Sequence, residues 1–425
     1  MSENKKSDIT RTKGYFIYLM IILMLVNMLD SITTVTQGLI LSSIANEFLT
    51  DYSKNEQNAI MALGASITTV GFYFIFIAQY LADKIGRKKI LALTAFGMGF
   101  MSLLAMLATN YIQYVIFTMF LCFFYSSDIF MMYANEESKK EKRAFNQSLI
   151  SFAGLGASIF AIILRSIFIT DTSSNWRVLF IIPSIMGIVL GIIILLTLKE
   201  TEKYEIMKED PSKVEKSSFR EDLRAFFQIE NRKPFIAFLI ITFIFGVATL
   251  WKGLFEKFLS DAGTISQSQI SVIFMITVPA VLIAYAANGF LAEKIGRKPL
   301  LYLWTAILPI GTIILVFGIS DPHNAFTFVI IGTAVTQVGF WGLINLSRLV
   351  AIEMLPTDKR GTGTGIRALL FAVGTTIGLL IGAVFILFFG LGISFLIFSL
   401  AMYINIPLIY FYIKETKGVD LSEIK

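Results

Sequence analysis

The chain has 425 residues, of which 56% are hydrophobic and 16% charged, and its formal net charge is +6. A soluble protein carries about 25% charged residues, so this composition excludes an ordinary water-soluble fold and indicates an all-α membrane protein. The single cysteine, Cys122, excludes an internal disulfide and a cysteine-based metal cluster, and we expect neither a metal site nor a cofactor. The single histidine falls in a predicted loop, and we expect no enzyme activity.

Twelve apolar runs of about 20 residues, separated by short polar segments, predict twelve transmembrane helices. In lipid every backbone polar group must be paired within the chain, so helices are the expected form. The runs begin near Gly14, Ala59, Ile90, Tyr111, Phe145, Val178, Phe235, Gln269, Leu300, Phe326, Gly363 and Gly392. A polar segment separates spans six and seven. The sequence therefore predicts an N-terminal six-helix bundle at 1–198, a cytoplasmic linker at 199–233 and a C-terminal six-helix bundle at 234–425.

Lysine and arginine collect on one side of these spans. They lie in both chain termini and at 84–89, 139–143, 199–233, 294–298 and 359–360. By the positive-inside rule this side is cytoplasmic, which predicts a multi-pass plasma-membrane protein with both termini inside. Because the basic residues are dispersed and mixed with acids, they indicate topology and contact with the lipid bilayer, and we expect no nucleic-acid partner.

Three motifs occur twice, once in each predicted bundle, and each lies at a predicted cytoplasmic helix end. They are LADKIGRKKI at 81–90 and LAEKIGRKPL at 291–300, a glutamate seven residues before an arginine (Glu136 and Arg143, Glu353 and Arg360), and LKET at 198–201 and IKET at 413–416. This repetition indicates two homologous halves. A tight turn between two helices needs unusual backbone angles, which Gly86 and Gly296 can supply.

Several stretches resemble the major facilitator superfamily of secondary transporters. They are the two copies of the ten-residue motif, EMLPTDKRGTG, NWRVLF and KETKGVDLSEI. The resemblance covers the whole chain and implies two bundles, each built from two three-helix units, with spans 1, 4, 7 and 10 lining a central cavity. Span one is more similar to the metabolite:proton symporters than to the sugar porters, whose double-glutamine pattern on span seven is absent. Ser42 stands where those symporters usually have proline.

The doubled motifs imply a gate on the cytoplasmic side. Asp83 and Glu293 end helices, where an anion is unfavourable without a partner. The resemblance implies that Asp83 pairs with Arg143 and the start of span eleven, and that Glu293 pairs with Arg360 and the start of span five. The alternative is that these charges only enforce topology. The predicted gate motifs comprise Asp83, Gly86, Arg87, Glu136 and Arg143 in the first half and Glu293, Gly296, Arg297, Glu353 and Arg360 in the second.

Four charged residues lie well inside the predicted spans: Asp30, Asp128, Lys252 and Arg348. Each costs roughly 3 kcal/mol or more at mid-helix, so we expect a functional role. Helical spacing predicts further polar residues on the same faces, namely Asn27, Thr34 and Gln37 with Asp30, Glu256 with Lys252, and Gln337, Trp341 and Asn345 with Arg348. Depth matches Asp30 with Lys252 on the outer side and Asp128 with Arg348 on the inner side. We expect Arg165 and Arg367, near span ends, to snorkel.

These features predict a monomeric secondary transporter that moves a small polar or anionic metabolite by alternating access in symport with protons. Asp30 or Asp128 would carry the proton, because carboxylates are the only plausible acids inside the spans. Lys252 or Arg348 would bind a substrate carboxylate. The alternatives are structural ion pairs in an uncoupled facilitator, an antiporter, or a transporter-like sensor or lipid-handling protein.

Overall fold

A computed structural model describes residues 12–125, 129–139, 142–201, 204–205, 232–355 and 360–417. These residues form helices almost throughout, and within them the one β-type pairing is an isolated bridge between Ile169 and Ser174. Asp128 and most of the predicted linker at 199–233 lie outside the described residues, so the linker boundaries stay a prediction.

The N-terminal half contains six successive spans. Span one is α1 (Lys13–Leu39) and α2 (Leu41–Phe48), and span two is α3 (Lys54–Val70), a 3₁₀ turn (Gly71–Phe74) and α4 (Ile75–Ile85). The next four spans are α5 (Arg87–Met106), α6 with α7 (Tyr111–Phe123 and Ile129–Glu137), α8 (Arg143–Phe168) and α9 (Val178–Thr197).

The C-terminal half repeats this arrangement. Span seven is divided into α10 (Arg232–Val247), α11 (Leu250–Gly253) and α12 (Phe255–Asp261). Spans eight to ten are α13 (Gln267–Ile295), α14 (Arg297–Gly318) and α15 (Ala325–Glu353), and the last two spans are α16 (Arg360–Leu400), a 3₁₀ turn (Ala401–Ile404) and α17 (Asn405–Tyr412). Gly390, with φ 74°, divides α16 into spans eleven and twelve. The predicted twelve-helix, two-half fold is confirmed.

The glycines of the doubled motif form the turns expected of them. Gly86 joins α4 to α5 with φ 110°, and Gly296 joins α13 to α14 with φ 99°. A residue with a Cβ atom would be strained at both positions. These turns, together with the ends of spans six and twelve at 198–201 and 413–417, mark what we call the basic side of the bundle. The loops at 49–53, 107–110, 169–177, 262–266 and 319–324 lie on the opposite side.

Each half has its own hydrophobic core. The N-terminal core is built around buried side chains such as Leu23, Leu91 and Phe180. The C-terminal core also takes in Ala45 and Ala59 of the N-terminal half, both of which lie towards the opposite side. The halves therefore pack tightly against one another on the opposite side.

The contact between α5 and α9 makes a testable prediction about packing. A Cβ atom on Gly187 would lie 2.5 Å from the Gly99 Cα atom and 2.7 Å from the Ala95 carbonyl oxygen, so the two helices would have to separate. We expect Gly187→Ala to destabilise the protein by about 1–3 kcal/mol, because this overpacking outweighs the better helix propensity of alanine.

Gly156→Ala in α8 is the matched control, since nothing lies within 4 Å of a Cβ atom there. The melting temperature of each purified variant in detergent measures the effect. A Gly187→Ala protein that melts no lower than Gly156→Ala would contradict close packing of α5 against α9.

Candidate functional site

An arginine and a glutamate from different halves form a buried ion pair on the opposite side. Nη2 of Arg165, near the end of α8, lies 2.9 Å from Oε1 of Glu256, near the start of α12, and both side chains are 0% exposed. An isolated buried charge costs several kcal/mol, so such a pair persists only when further hydrogen bonds satisfy both groups.

The carboxylate of Glu256 receives its additional hydrogen bonds from span one. The Ser42 backbone N–H donates to Oε2 and the Ser42 hydroxyl donates to Oε1, and both hydrogen bonds are 2.6 Å long. Ser42 lies in the first turn of α2, where backbone N–H groups have no acceptor within the helix. The break in span one at Ile40, with φ −126° and ψ 11°, creates this free turn.

The guanidinium of Arg165 is satisfied from both halves. Nε donates to the carbonyl oxygen of Leu39 (2.8 Å), which is the last residue of α1. Nη1 donates to the Gln267 carbonyl (3.0 Å) and the Ser271 hydroxyl (2.7 Å), and Nη2 also donates to Gln267 Oε1 (2.7 Å). We call Ser42, Arg165, Glu256, Gln267 and Ser271 the bridging cluster. It joins spans one and five to spans seven and eight.

Three expectations from the sequence are wrong here. Arg165 does not snorkel to the surface, because its guanidinium finds acceptors in the interior. Glu256 does not share the environment of Lys252, because span seven breaks at Leu254, with φ −131° and ψ 18°. Lys252 is exposed whereas Glu256 is 0% exposed. The prediction from helical spacing assumed a continuous helix between Lys252 and Glu256, which this break interrupts. Arg367 is likewise buried, with Nη1 donating to the Ser347 hydroxyl at 3.1 Å.

Lys252 lies against aromatic rings of span ten. Its Nζ atom is 4.4 Å from the ring centre of Phe340 and 5.3 Å from that of Trp341. Among the residues that the structure describes, no carboxylate lies within ion-pairing distance of Lys252. The cross-half ion pair is Arg165 with Glu256, and pairing of Lys252 with Asp30 stays a prediction.

The residues of the predicted polar face of span ten differ in their exposure. Arg348 is exposed, and Trp341 and Asn345 are half-buried. Gln337 is buried and donates from Nε2 to the Thr277 hydroxyl of α13 at 3.2 Å, so it packs between helices. Because Asp128 lies outside the described residues, its pairing with Arg348 stays a prediction.

The predicted polar face of span one contributes to packing within the N-terminal half. Asp30 is half-buried, and exposed Thr34 donates its hydroxyl to the Asp30 carbonyl oxygen at 2.7 Å. Asn27 donates to the Ile150 carbonyl of α8 at 2.7 Å. Gln37 donates to the Tyr125 hydroxyl at 2.9 Å. Asn27 and Gln37 therefore tie span one to its own half.

On the basic side the motif arginines pair within their own halves. Arg87 Nη2 lies 3.1 Å from Glu136 Oε1, and Arg297 Nη2 lies 2.9 Å from Glu353 Oε1. Exposed Arg143 donates from Nε to the Ser138 carbonyl at 3.3 Å, and Glu293 is exposed. The side chains of Asp83 and Arg360 lie outside the described part of the chain, so the cross-half gate stays a prediction.

The repeated LKET and IKET glutamates cap the helices that follow the glycine turns. Glu200 accepts from the Lys88 backbone N–H at 3.1 Å. Glu415 accepts from the backbone N–H groups of Arg297 and Lys298 at 2.8 and 3.1 Å. A carboxylate at a helix N-terminus satisfies free N–H groups and the helix dipole. The repetition of these glutamates is visible in the sequence, whereas their capping role depends on the tertiary structure.

Two six-helix halves, bridged on one side by a buried ion pair and carrying exposed cations inside their spans, define a membrane transporter of the major facilitator type. The family model of the Major Facilitator Superfamily matches residues 19–260 and 253–424, and the chain belongs to this superfamily. The protein is therefore a membrane-embedded, multi-pass transporter.

Three similar proteins illustrate the range of the family. A Haemophilus influenzae protein described as "Putative metabolite transport protein" is 26% identical over 388 residues, covering 81% of this chain and 83% of its own. A Bacillus subtilis protein described as "Putative niacin/nicotinamide transporter" is 24% identical over 355 residues, covering 82% of this chain and 84% of its own. The crystal structure of a D-xylose-proton symporter superposes with a TM-score of 0.74 at 15% identity, covering 95% of this chain and 99% of its own.

The bridging cluster predicts strong coupling between its two charges. Arg165→Met leaves the Glu256 carboxylate buried and unpaired, so we expect a loss of about 3–5 kcal/mol in stability. The double variant with Glu256→Gln removes both charges and should recover much of that loss. A double-mutant cycle on the melting temperature measures the coupling.

The control pair is Arg177 with Glu47, an ion pair within the N-terminal half whose side chains are 39% and 37% exposed. Its coupling should stay below about 1 kcal/mol. Strictly additive losses for Arg165 and Glu256 would show that the bridging cluster does not hold the halves together.

Glu415 predicts a pH dependence of stability. Partial burial raises the pKa of Glu415, but hydrogen bonds from the backbone N–H groups of Arg297, Lys417, Lys298 and Thr416 outweigh it and hold the pKa below its ordinary value of 4.5. The folded state therefore binds this proton less tightly than the unfolded state. The stabilisation is complete above the ordinary pKa and is lost as the pH falls through the lowered one.

We expect the Glu415→Gln variant to melt below the wild-type protein at neutral pH and to lose this difference in acid. Melting temperatures recorded from neutral pH to below the ordinary pKa test this. Asp51→Asn, at an exposed loop carboxylate, is the control. A difference between wild type and Glu415→Gln that persists in acid would exclude a role for the charge.

Proposed function

We propose that the protein is a monomeric secondary active transporter of the plasma membrane that moves a small polar or anionic metabolite by alternating access in symport with protons. The basic side faces the cytoplasm in this proposal, and both termini lie there. The observation that carries it is the exposure of Lys252 and Arg348 inside the spans while the bridging cluster seals the opposite side.

The exposed cations indicate where the opening lies. A charged side chain that faces lipid at mid-span costs several kcal/mol, so an exposed lysine and arginine favour a water-filled cavity between the halves. Several hydrogen bonds between the two halves lie in the bridging cluster. Another joins the Tyr73 hydroxyl, which donates, to the Thr376 hydroxyl at 2.6 Å. A cavity closed on that side opens towards the basic side, which makes this the inward-facing state.

In this proposal, charged residues of the C-terminal half bind the substrate and a carboxyl group of the N-terminal half carries the proton. Two cations in the C-terminal half, Lys252 and Arg348, favour an anionic substrate. Asp30 or Asp128 in the N-terminal half carries the proton, because carboxyl groups are the plausible proton carriers among the charged side chains inside the spans. Asp128 and Arg348 also form the inner gate when the basic side closes. The niacin and nicotinamide in the description of the B. subtilis relative, and the proton coupling of the xylose symporter, support a small metabolite moved with protons.

Uptake into proteoliposomes tests the proposal. The probes are radiolabelled nicotinate, nicotinamide, lactate, succinate and D-xylose, each with an inward proton gradient. We expect uptake of at least one acid, abolished by a protonophore and reduced about tenfold or more in Lys252→Met, because a charged hydrogen bond contributes about 1.5–3 kcal/mol. Asp30→Asn or Asp128→Asn should remove the dependence on the proton gradient.

Lys414→Met is the control, because it removes an exposed lysine beyond the last span. Undiminished uptake with the protonophore present would overturn symport and leave a facilitator. Uptake of D-xylose together with rejection of every acid would overturn an anionic substrate.

A further inference from the structure

We propose that the transported metabolite is an aromatic or heteroaromatic monocarboxylate, with its carboxylate on Lys252 and its ring against Trp341. This inference rests on the proposed transport function and narrows its substrate class. It combines an exposed cation, the partly exposed rings of Trp341 and Tyr285, and an indole N–H that has no acceptor among the described residues.

The ammonium of Lys252 is compensated by π-systems within the described residues. It lies over Phe340 at 4.4 Å and over Trp341 at 5.3 Å, both within the range of cation–π attraction. Glu256, the carboxylate nearest to Lys252 in the sequence of span seven, is held by Arg165 and Ser42. A cation kept beside aromatic rings, with its neighbouring acid held elsewhere, leaves room for a ligand anion.

Trp341 and Tyr285 form a partly accessible aromatic surface. Trp341 is half-buried and packs edge-to-face with Phe340 at 5.3 Å and 85°, and with Tyr285 at 6.4 Å and 79°. Tyr285 is 40% exposed. Aromatic groups prefer offset-stacked or edge-to-face contacts, and a planar ligand ring can add to such a set in either geometry.

The indole of Trp341 also offers a hydrogen bond. Its Nε1 atom is buried and has no acceptor among the described residues. Leaving a buried N–H unpaired is unfavourable, so a shift of the indole that uncovers Nε1 for an acceptor on the ligand is favoured. A carboxylate oxygen or a ring nitrogen is such an acceptor.

Arg348 adds a second positive charge on the same helix. It lies seven residues after Trp341, hence on the same face and roughly 10 Å further along α15 towards the basic side. Within the part of the chain that the structure describes, no carboxylate pairs with Arg348. The positive charges of Lys252 and Arg348 would repel a cationic metabolite. A polyol would leave Lys252 without an anion, and an aliphatic acid would leave the rings unused.

Binding of matched probes to the purified full-length protein tests this class by isothermal titration calorimetry. Benzoate and nicotinate are the aromatic acids, cyclohexanecarboxylate keeps the charge without the π-system, benzamide keeps the ring without the charge, and D-xylose is the polyol. We expect benzoate to bind about 3- to 10-fold tighter than cyclohexanecarboxylate. It should bind about tenfold or more tighter than benzamide.

Variants separate the two contacts. Trp341→Leu should remove the preference for benzoate over cyclohexanecarboxylate, whereas Trp341→Phe should keep it. Lys252→Met should weaken both acids equally. Trp304→Phe, which changes an indole whose Nε1 donates to Asn288 instead, and Lys414→Met are the controls.

The outcomes distinguish this inference from the proposed function. Cyclohexanecarboxylate bound as tightly as benzoate, or absence of binding by both aromatic acids, would overturn the aromatic class while uptake of another acid would still support an anion transporter. Binding of D-xylose together with rejection of all acids would overturn both.

Discussion

A charged pair sealed between two six-helix halves is the interaction on which this structure depends. The C-terminal core takes in side chains of the N-terminal half on the opposite side, so the relative position of the halves is decided by this apolar contact together with the polar groups that meet there. Arg165 is tolerated there because it donates hydrogen bonds to both halves, and Glu256 because it accepts hydrogen bonds from Ser42 and Arg165 of the other half. A buried ion pair that is stable only when all its hydrogen bonds are made behaves as a two-state contact, because losing some of these bonds makes the whole pair unfavourable. That behaviour suits a transporter that alternates between two openings.

Breaks in helices create the groups that this contact uses. A continuous helix pairs its backbone internally and has little to offer a neighbour. The break at Ile40 frees the Leu39 carbonyl for Arg165 and the Ser42 N–H for Glu256. The break at Leu254 turns Glu256 away from Lys252. One local irregularity in each half thus places Glu256 in the bridging cluster and leaves Lys252 exposed.

The basic side is organised differently, because its described charges act within each half. Arg87 with Glu136 and Arg297 with Glu353 repeat the same pair, and Glu200 and Glu415 repeat the same helix cap. These pairs connect the end of one span to the start of another and make each half rigid at this end. Between two such halves, the bridging cluster on the opposite side is the contact that would have to form and break in the proposed alternating access.

The twelve spans, the two halves and the glycine turns follow from the sequence, because hydropathy and repetition are local properties of the chain. The sequence also indicated Lys252 and Arg348 as charged residues inside the spans, because a charge in lipid is costly. It missed Arg165 as an interior residue, placed Glu256 beside Lys252 and assigned Asn27 to the cavity. Only the tertiary structure decided these, because they depend on helix breaks and on partners more than a hundred residues away, which no spacing along one helix can reveal.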